Sequence, residues 1–316
     1  MMAAMPAAMR WFVIVNPVSG GGRARRRWPQ LAAAMERRGL SHESATTTSA
    51  GHAIELARQA IEQGYRHLLA LGGDGSFNEL LNGLLAQTRV PLDRILASVA
   101  PLGTGNDWAH AMLVPDDPDE LALSMARGAS RRVDLGIAEA TNGPDGATRQ
   151  FAFHNNAGAG LDAEVLRHIP RRGPRVLAYL IGLARVLPRY RAPQFELTAD
   201  GYRWSGRFWI ALAALGPYFG GGMRLAPDAL ADDGYLDLVT IQPLPLAATI
   251  ARLPKLFDGR LAGDPAAQVL RCRELTIRSD PPSGVEVDGQ RIGTTPVTVR
   301  ILPGALRVLD CRPPVC

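Results

Sequence analysis

Residues 66–85 read RHLLALGGDGSFNELLNGLL, and no other stretch limits the fold as tightly. The apolar run Leu68 to Leu71 stops at Gly72-Gly73-Asp74-Gly75. Phe77, Leu80, Leu81, Leu84 and Leu85 then recur at helical spacing. The pattern is strand, glycine turn, helix. Three glycines in four residues admit positive φ and leave no Cβ between the backbone and a ligand. The N–H groups at the start of the helix favour an anion. Ser76 is placed to cap that helix, with Glu79 three residues on as a capping box requires. Asp74 sits badly beside a bare phosphate, because a carboxylate repels it unless a cation lies between them. Two readings stay open at this point: a nucleotide phosphate with Mg²⁺, or a tight turn with a capping aspartate.

The rest of the chain follows the same grammar. Trp11 to Val15 reads as a buried parallel strand ending in Asn16-Pro17-Val18-Ser19 and the glycines 20–22. Arg23, Arg25, Arg26 and Arg27 open a helix that runs to about Arg38. Ser41 to Thr46 reads as a second strand, followed past Gly51 by a helix carrying Ile54, Ala57 and Ile61. Ile95 to Ala100 reads as a fourth strand, ending in Pro101-Leu-Gly-Thr104-Gly-Asn-Asp107. Strand and helix alternate, and each glycine- or hydroxyl-rich loop falls at a strand's carboxyl end. The fold class is therefore α/β, with an N-terminal doubly wound domain whose ligands bind at that edge. From about Arg131 the pattern turns β-rich. Runs at Val133 to Ala138, Gln150 to Asn155, Gln194 to Ala199, Tyr202 to Leu212, Tyr235 to Ile241, Val269 to Ile277, Gly284 to Val287 and Val297 to Leu302 read as strands. Asn142 to Gly146, Asp200-Gly201 and Asp288-Gly289 supply turns. Pro174 to Leu187 and Leu246 to Phe257 read as helices. The expected division is a tail at 1–9, a nucleotide domain at 10–135, a C-terminal β-sandwich domain at 136–310 and a tail at 311–316.

Composition narrows the chemistry. One residue of 316 is lysine, Lys255, so no P-loop lysine exists. Net charge is +5, carried by arginine, which suits phosphates or anionic surfaces. The arginines are scattered and no stacking array is visible, which argues against nucleic acid. Cys272, Cys311 and Cys316 show no metal spacing and fit a reduced cytoplasmic protein. No apolar run approaches the roughly 20 residues of a membrane span.

Taken together, Asn16-Pro17-x-Ser19-Gly20, Gly72-Gly-Asp-Gly-Ser76 with Asn78-Glu79, and Pro101-x-Gly-Thr-x-Asn-Asp107 resemble the diacylglycerol kinase catalytic-domain family. So do Gly220-Gly-Gly-Met223, Ala226-Pro-Asp-Ala229, Asp232-Asp-Gly-Tyr235 and Val287-Asp-Gly289. The family includes sphingosine and ceramide kinases and soluble bacterial lipid kinases. The resemblance covers roughly residues 11 to 310 and keeps the family's motif order. It implies a nucleotide domain like that of NAD kinases and phosphofructokinases, a β-sandwich, and an active site in the cleft between them. It further implies that Asn16, Pro17, Ser19, Gly20, Thr46, Gly72, Gly73, Asp74, Gly75, Ser76, Phe77, Asn78 and Thr104 line an ATP site. Asp74, Asp107 and Asp134 match carboxylates of a water-and-Mg²⁺ network. Asp233, with the carbonyls of Leu230 and Tyr235, matches a structural Mg²⁺ site.

One departure matters most. The family reads Asp-Gly-Glu where this chain has Asp288-Gly289-Gln290, and an amide cannot take a proton as a carboxylate does. Residues two apart on a strand share a face, so Asp288 is expected to reach the same cleft and serve as the base. The reading is a kinase transferring the γ-phosphoryl of Mg·ATP to the hydroxyl of diacylglycerol or a similar lipid. The rivals are an NAD kinase-like enzyme and a non-catalytic nucleotide or lipid sensor. The acceptor comes from a membrane surface. Arg171, Arg172, Arg175, Arg185, Arg189 and Arg191 surround the apolar positions Val176, Leu177, Leu180, Ile181, Ala184 and Leu187, and two readings stay open: a basic amphipathic helix suited to peripheral contact, or a core-packed helix with solvated arginines. A homodimer stays open.

Overall fold

The computed structural model describes residues 9–141, 147–170 and 175–312. These form two compact units: one runs to Val133 and resumes at Gly304, and the other is Asp134–Pro303.

The first unit is built by alternation: β1 (Trp11–Val15), α1 (Ser19–Arg37), β2 (His42–Thr46), α2 (His52–Glu62), β3 (His67–Gly72), α3 (Asp74–Ala86), β4 (Leu96–Pro101), α4 (Asp107–Ala111) and α5 (Pro118–Arg127). The strands lie side by side as β2-β1-β3-β4, all parallel. Strands β1, β3 and β4 are buried almost throughout, which their unbroken apolar runs require. Helix α5 shows how local chemistry sets a boundary. Asp117 accepts from the N–H groups of Asp119 and Glu120, Pro118 takes the first turn, and Gly128 closes the helix at φ 66°. The chain returns at its end to this unit, where Arg307 and Val308 pair in parallel with β4. Nothing in the sequence pattern marks that return.

β5 (Ser130–Thr141) leads into the second unit, whose elements are β6 (Thr148–Phe153), β7 (Asn156–Gly160), α6 (Leu161–Leu166), α7 (Arg175–Val186), β8 (Gln194–Ala199), β9 (Tyr202–Arg207), β10 (Ile210–Ala214), β11 (Leu236–Ile241), α8 (Leu246–Arg252), α9 (Lys255–Asp258), β12 (Ala267–Cys272), β13 (Glu274–Asp280), β14 (Gly284–Val287), β15 (Gln290–Thr294) and β16 (Val297–Leu309). One sheet is antiparallel, β12-β11-β10-β7-β14-β15. The other includes β9, β8, β13 and the start of β16. They enclose an apolar core of Ala138, Phe153, Phe195, Leu197, Ala211, Leu238, Leu275, Val285 and Val299. The arrangement is a β-sandwich. A second core lies on the far side of the six-stranded sheet, where Trp209, Ile210 and Val239 meet Leu183 and Val186 of α7.

Three segments differ from expectation. Tyr202 to Leu212 is not one strand: β9 pairs with β8 in one sheet and β10 with β7 and β11 in the other. Val269 to Ile277 divides in the same way into β12 and β13. Asp200 accepts the N–H groups of Arg273 and Glu274 at that corner. The segment from Leu246 to Phe257 breaks into α8 and α9 around Leu253-Pro254, because proline cannot continue a helix. The turn at 142–146 lies outside the described residues.

Candidate functional site

Three loops at the carboxyl ends of β1, β3 and β4 converge in the first unit. Asn16, just past β1, donates from Nδ2 to Ser76 Oγ at 2.9 Å. Leu102 N–H, just past β4, donates to Gly72 O at 2.6 Å. Arg23 donates to Gly20 O and Gly103 O, both at 3.2 Å, and so ties the first loop to the third. Gly20, Gly21 and Gly22 all hold left-handed φ, at 59°, 68° and 88°. An L side chain is strained there, so the glycine run is a backbone requirement. A Cβ on Gly73 would come within 2.7 Å of Gly103 Cα. The two loops therefore touch backbone to backbone, and Gly103 N–H is held by Asn106 Oδ1 at 2.8 Å.

Asp74 opens α3 at this junction. One carboxylate oxygen accepts from Trp108 N–H at 3.2 Å, which draws the start of α4 toward the start of α3. Asp107 opens α4 and is buried. Beneath them the Phe77 ring packs on Trp108 with centroids 4.5 Å apart, and Phe77 is fully buried. Truncating such a ring to alanine costs about 3–5 kcal/mol. Among the described residues no three Asp, Glu, His or Cys side chains gather as a cation cage. Mg²⁺ is commonly held by one or two carboxylates with substrate phosphates completing the shell. Asp74 and Asp107, at adjacent helix starts, fit that mode.

The other sequence-predicted residues of this unit fall as follows. Pro17 and Ser19 lie in the first loop, with Ser19 N–H on Asn16 O at 3.2 Å. Gly75 is exposed in the first turn of α3. Asn78 is buried, and its Oδ1 accepts from Asn82 at 3.0 Å. Thr104 is exposed in the third loop, and Thr46 is exposed at the carboxyl end of β2, opposite Val15. The expected capping box does not form. Helix α3 starts at Asp74, and the Ser76 hydroxyl serves Asn16 instead. Glu79 reaches across to α2, accepting from Gly51 N–H at 2.9 Å and Ala53 N–H at 3.2 Å. It caps a neighbouring helix rather than its own.

In the second unit Asp288 is the principal correction. Asp288 and Gly289 have φ of 46° and 77°, and Val287 pairs with Gln290 across them. They are the central pair of a hairpin turn, so the rule that residues two apart share a face does not reach from 288 to 290. The Asp288 side chain is fully buried. It accepts from the N–H groups of His154, Asn155 and Asn156 at 3.0, 2.9 and 3.0 Å, and its Oδ2 lies 2.7 Å from His154 Nδ1. Burial would raise its pKa, but His154 and the backbone donors outweigh it and hold the carboxyl below its ordinary value. A base so encumbered is a poor proton acceptor. Asp288 pins the hairpin to the 154–156 segment. Gln290 is exposed at the start of β15.

Sequence reasoning missed the polar network around this hairpin. Glu286 accepts from Asn156 Nδ2 and, at 2.8 Å, from Gly289 N–H. The Asp162 carboxyl is buried beside Glu286, and burial pushes it up to about 6. The only signal was the alternation of Glu286 and Asp288 with Val285 and Val287.

The Asp-Asp-Gly loop is held from within its own unit. Asp134 N–H donates to Ala231 O, and Asp134 Oδ2 accepts from Gly234 N–H, both at 2.7 Å. Asp134 thus serves this loop. Asp233 accepts from Tyr235 N–H at 3.0 Å and pairs with the Arg271 guanidinium, which also lies over the Tyr235 ring at 4.3 Å. The carboxylate expected to hold a structural Mg²⁺ with the Leu230 and Tyr235 carbonyls is engaged by an internal cation, so these residues do not fit a metal as they stand.

The stripe that α7 buries is Ala178, Leu183 and Val186. Leu177 and Ala184, expected on the apolar face, are exposed. Arg171, Arg172 and Cys316 lie outside the described residues, as does the Arg175 side chain. No described helix is long and apolar enough to cross a membrane.

An α/β unit with phosphate-sized glycine loops at its strand ends, followed by a β-sandwich, defines a class of small-molecule kinases. The comparisons place the chain within it. Residues 10–138 match the diacylglycerol kinase catalytic domain, and residues 155–310 match the YegS C-terminal NAD kinase beta sandwich-like domain. A YegS-like lipid kinase of Pseudomonas syringae pv. tomato is 33% identical, over 85% of this chain and 84% of that one. The diacylglycerol kinase of Bacillus subtilis is 29% identical, over 90% of each. A crystal structure of a diacylglycerol kinase from Bacillus anthracis superposes with a TM-score of 0.72 at 20% identity, covering 96% and 97% of the two chains. The protein belongs to the family of diacylglycerol kinases and YegS-like lipid kinases.

Proposed function

We propose that the protein is an ATP-dependent lipid kinase that moves the γ-phosphoryl group of Mg·ATP to a hydroxyl of diacylglycerol or a related lipid. The observation that carries this reading is the cradle of the first unit: three cross-linked glycine loops, with Asp74 at a helix start among them. The N–H groups at the second loop, those of Gly73, Asp74 and Gly75, bind the phosphates, while Gly22 N–H is spent on Val18 O and Ser76 N–H on Gly73 O. Asn16 and Ser76 fix the first loop against the second, and Thr46 and Thr104 line the rest of the nucleotide site. Asp74 and Asp107 would hold magnesium, which would neutralise charge building on the phosphate oxygens. Arg23, already reaching Gly103 O, stands where a cation can steady the transferred group.

On the acceptor side the second unit supplies shape more than a base. Asp288 fixes the hairpin, and Gln290 orients the lipid hydroxyl through its amide. Phosphoryl transfer relies chiefly on positioning and charge, so the missing glutamate slows the reaction without abolishing it. The lipid comes from a membrane against which α7 rests peripherally. Its exposed Leu177 supports that contact.

A second reading has its own support. Gln290 and the saturated Asp288 suit a nucleotide or lipid sensor without turnover. One experiment separates the two: labelled ATP, Mg²⁺ and total bacterial and sphingoid lipid extracts are incubated with the protein, and lipid products are resolved by chromatography. A labelled lipid that depends on Asp74 upholds the kinase. Nucleotide binding with no labelled lipid overturns it in favour of the sensor.

A further inference from the structure

The second unit contains a basic cavity that the reading above does not use. It has a volume of about 410 Å³ and lies between α6, the end of α7, the segment leading to β8, and residues 281–284. Arg185, Arg189, Arg191 and His168 line it. Glu164 is the single carboxylate of the lining, and Arg167 engages it at 3.3 Å. Arg185 donates to His168 O at 3.1 Å. Arg189 and Arg191 are exposed and have no ion-pair partner among the described residues. The net positive charge of the cavity is thus uncompensated by its own walls.

The wall adds a second, independent signal. Tyr190, between the two free arginines, turns inward. Its hydroxyl is buried without a well-formed hydrogen bond, and Ser283 is its polar neighbour. Burial pushes its pKa up to about 12, so it stays a neutral donor at any physiological pH. A buried hydroxyl without an acceptor costs about 1–3 kcal/mol unless something fills the site. Gly160 and Gly284 contribute backbone alone to the lining. Two guanidinium forks and a hydroxyl donor match a tetrahedral oxyanion, and they outnumber the Asp162 and Glu164 carboxyls near Tyr190. Guanidinium forks meet phosphate oxygens two at a time.

We propose that this cavity binds the phosphate group of a phosphate ester, as a second anion site separate from the nucleotide cradle. The ester is either a lipid headgroup or a soluble phosphate. The inference rests on the lipid-kinase reading only in naming the headgroup; the binding itself does not.

The test uses the full-length protein. Inorganic phosphate and sn-glycerol 3-phosphate are titrated calorimetrically into wild type, R189Q/R191Q, Tyr190→Phe and Arg23→Gln. R189Q/R191Q weakens binding roughly tenfold or more. Tyr190→Phe weakens it severalfold, and Arg23→Gln, in the cradle, leaves this isotherm in place. The melting temperature of R189Q/R191Q stays at the wild-type value, since the arginines are exposed, and that of Tyr190→Phe is no lower, since the hydroxyl it removes is buried and unpaired. Co-sedimentation with vesicles of phosphatidylglycerol and phosphatidylcholine, against phosphatidylcholine alone, identifies the source. Preference for the anionic vesicles, lost in R189Q/R191Q, assigns a lipid headgroup. Phosphate binding without vesicle preference assigns a soluble ester. Equal phosphate affinity in wild type and R189Q/R191Q overturns the proposal. ATP titrated separately reports on the cradle, so a failed cavity and a failed kinase reading give different results.

Discussion

Asp74 and Asp288 look alike in sequence: each is an aspartate followed by glycine at the end of an apolar strand. The structure treats them in opposite ways. Asp74 is half-buried and takes one backbone N–H. Asp288 is fully buried and takes three, with His154 beside it. A carboxylate with bonding capacity left over can meet a metal or a phosphate. One whose capacity is consumed holds a turn in place. What separates an active group from a structural one is the number of partners supplied by distant chain, and that number cannot be read locally.

The sharpest way to break this contrast is to neutralise each carboxylate. On the proposed reading, Asp74→Asn lowers turnover on the order of a thousandfold, because charge would be lost where the phosphoryl group is transferred. Its melting temperature changes little, since one weak N–H bond survives in the amide. Lipid-kinase assays and thermal melts measured side by side decide it, and full activity in the variant would remove Asp74 from the site. Asp288→Asn behaves in reverse. It sets an amide N–H₂ against buried backbone N–H groups that the carboxylate had satisfied, and each donor left unpaired costs about 1–3 kcal/mol of stability. The pH dependence follows from the depressed pKa. A carboxyl held below its ordinary value stabilises the fold above about pH 4 and loses that contribution as pH falls through the folded-state value. Wild type and Asp288→Asn therefore converge in stability toward acid and differ most near neutrality. Denaturant melts at pH 7 and pH 3 check the sign.

The glycine loops were legible because their chemistry is local. Consecutive glycines, an Asn-Pro step and a strand-to-helix change of period each announce themselves within a few residues. The corners of the sandwich were not. Tyr202 to Leu212 and Val269 to Ile277 carry strand-forming residues without a break, yet each crosses from one sheet to the other. Only Phe208-Trp209 and Arg273 mark the corners. β7, Asn-Ala-Gly-Ala-Gly, lies mid-sheet and fully buried, but its small side chains give no strand signal. The fate of Glu79 was hidden for the same reason as that of Asp288. Its partners on α2 are brought near by the fold and not by spacing.

Gln290 sharpens the comparison from the other side. Gln290→Glu restores a carboxylate at an exposed hairpin position. If positioning and charge dominate, kcat rises by less than about tenfold, with a new acid limb in its pH profile. A gain of a hundredfold or more would show that general-base catalysis limits the natural protein. The side chain is exposed, so the melting temperature of this variant serves only as a folding control.

The smallest effect concerns the Asp-Asp-Gly loop, another place where an aspartate is followed by glycine. Asp233 is paired with Arg271, whose side chain is 51% exposed, and solvent-exposed ion pairs contribute about 0–1 kcal/mol. Arg271→Gln therefore costs less than about 1 kcal/mol, because Asp134 still grips Gly234. The informative measurement is metal dependence. With Arg271 in place, a chelator leaves the melting temperature of the nucleotide-free protein unchanged, although on the proposed reading it weakens ATP binding at Asp74. With Arg271 removed, Asp233 regains an oxygen, and added Mg²⁺ raises the melting temperature. A chelator-sensitive wild type would mean that the guanidinium yields to a metal, and Asp233 would then belong with Asp74 rather than with Asp288.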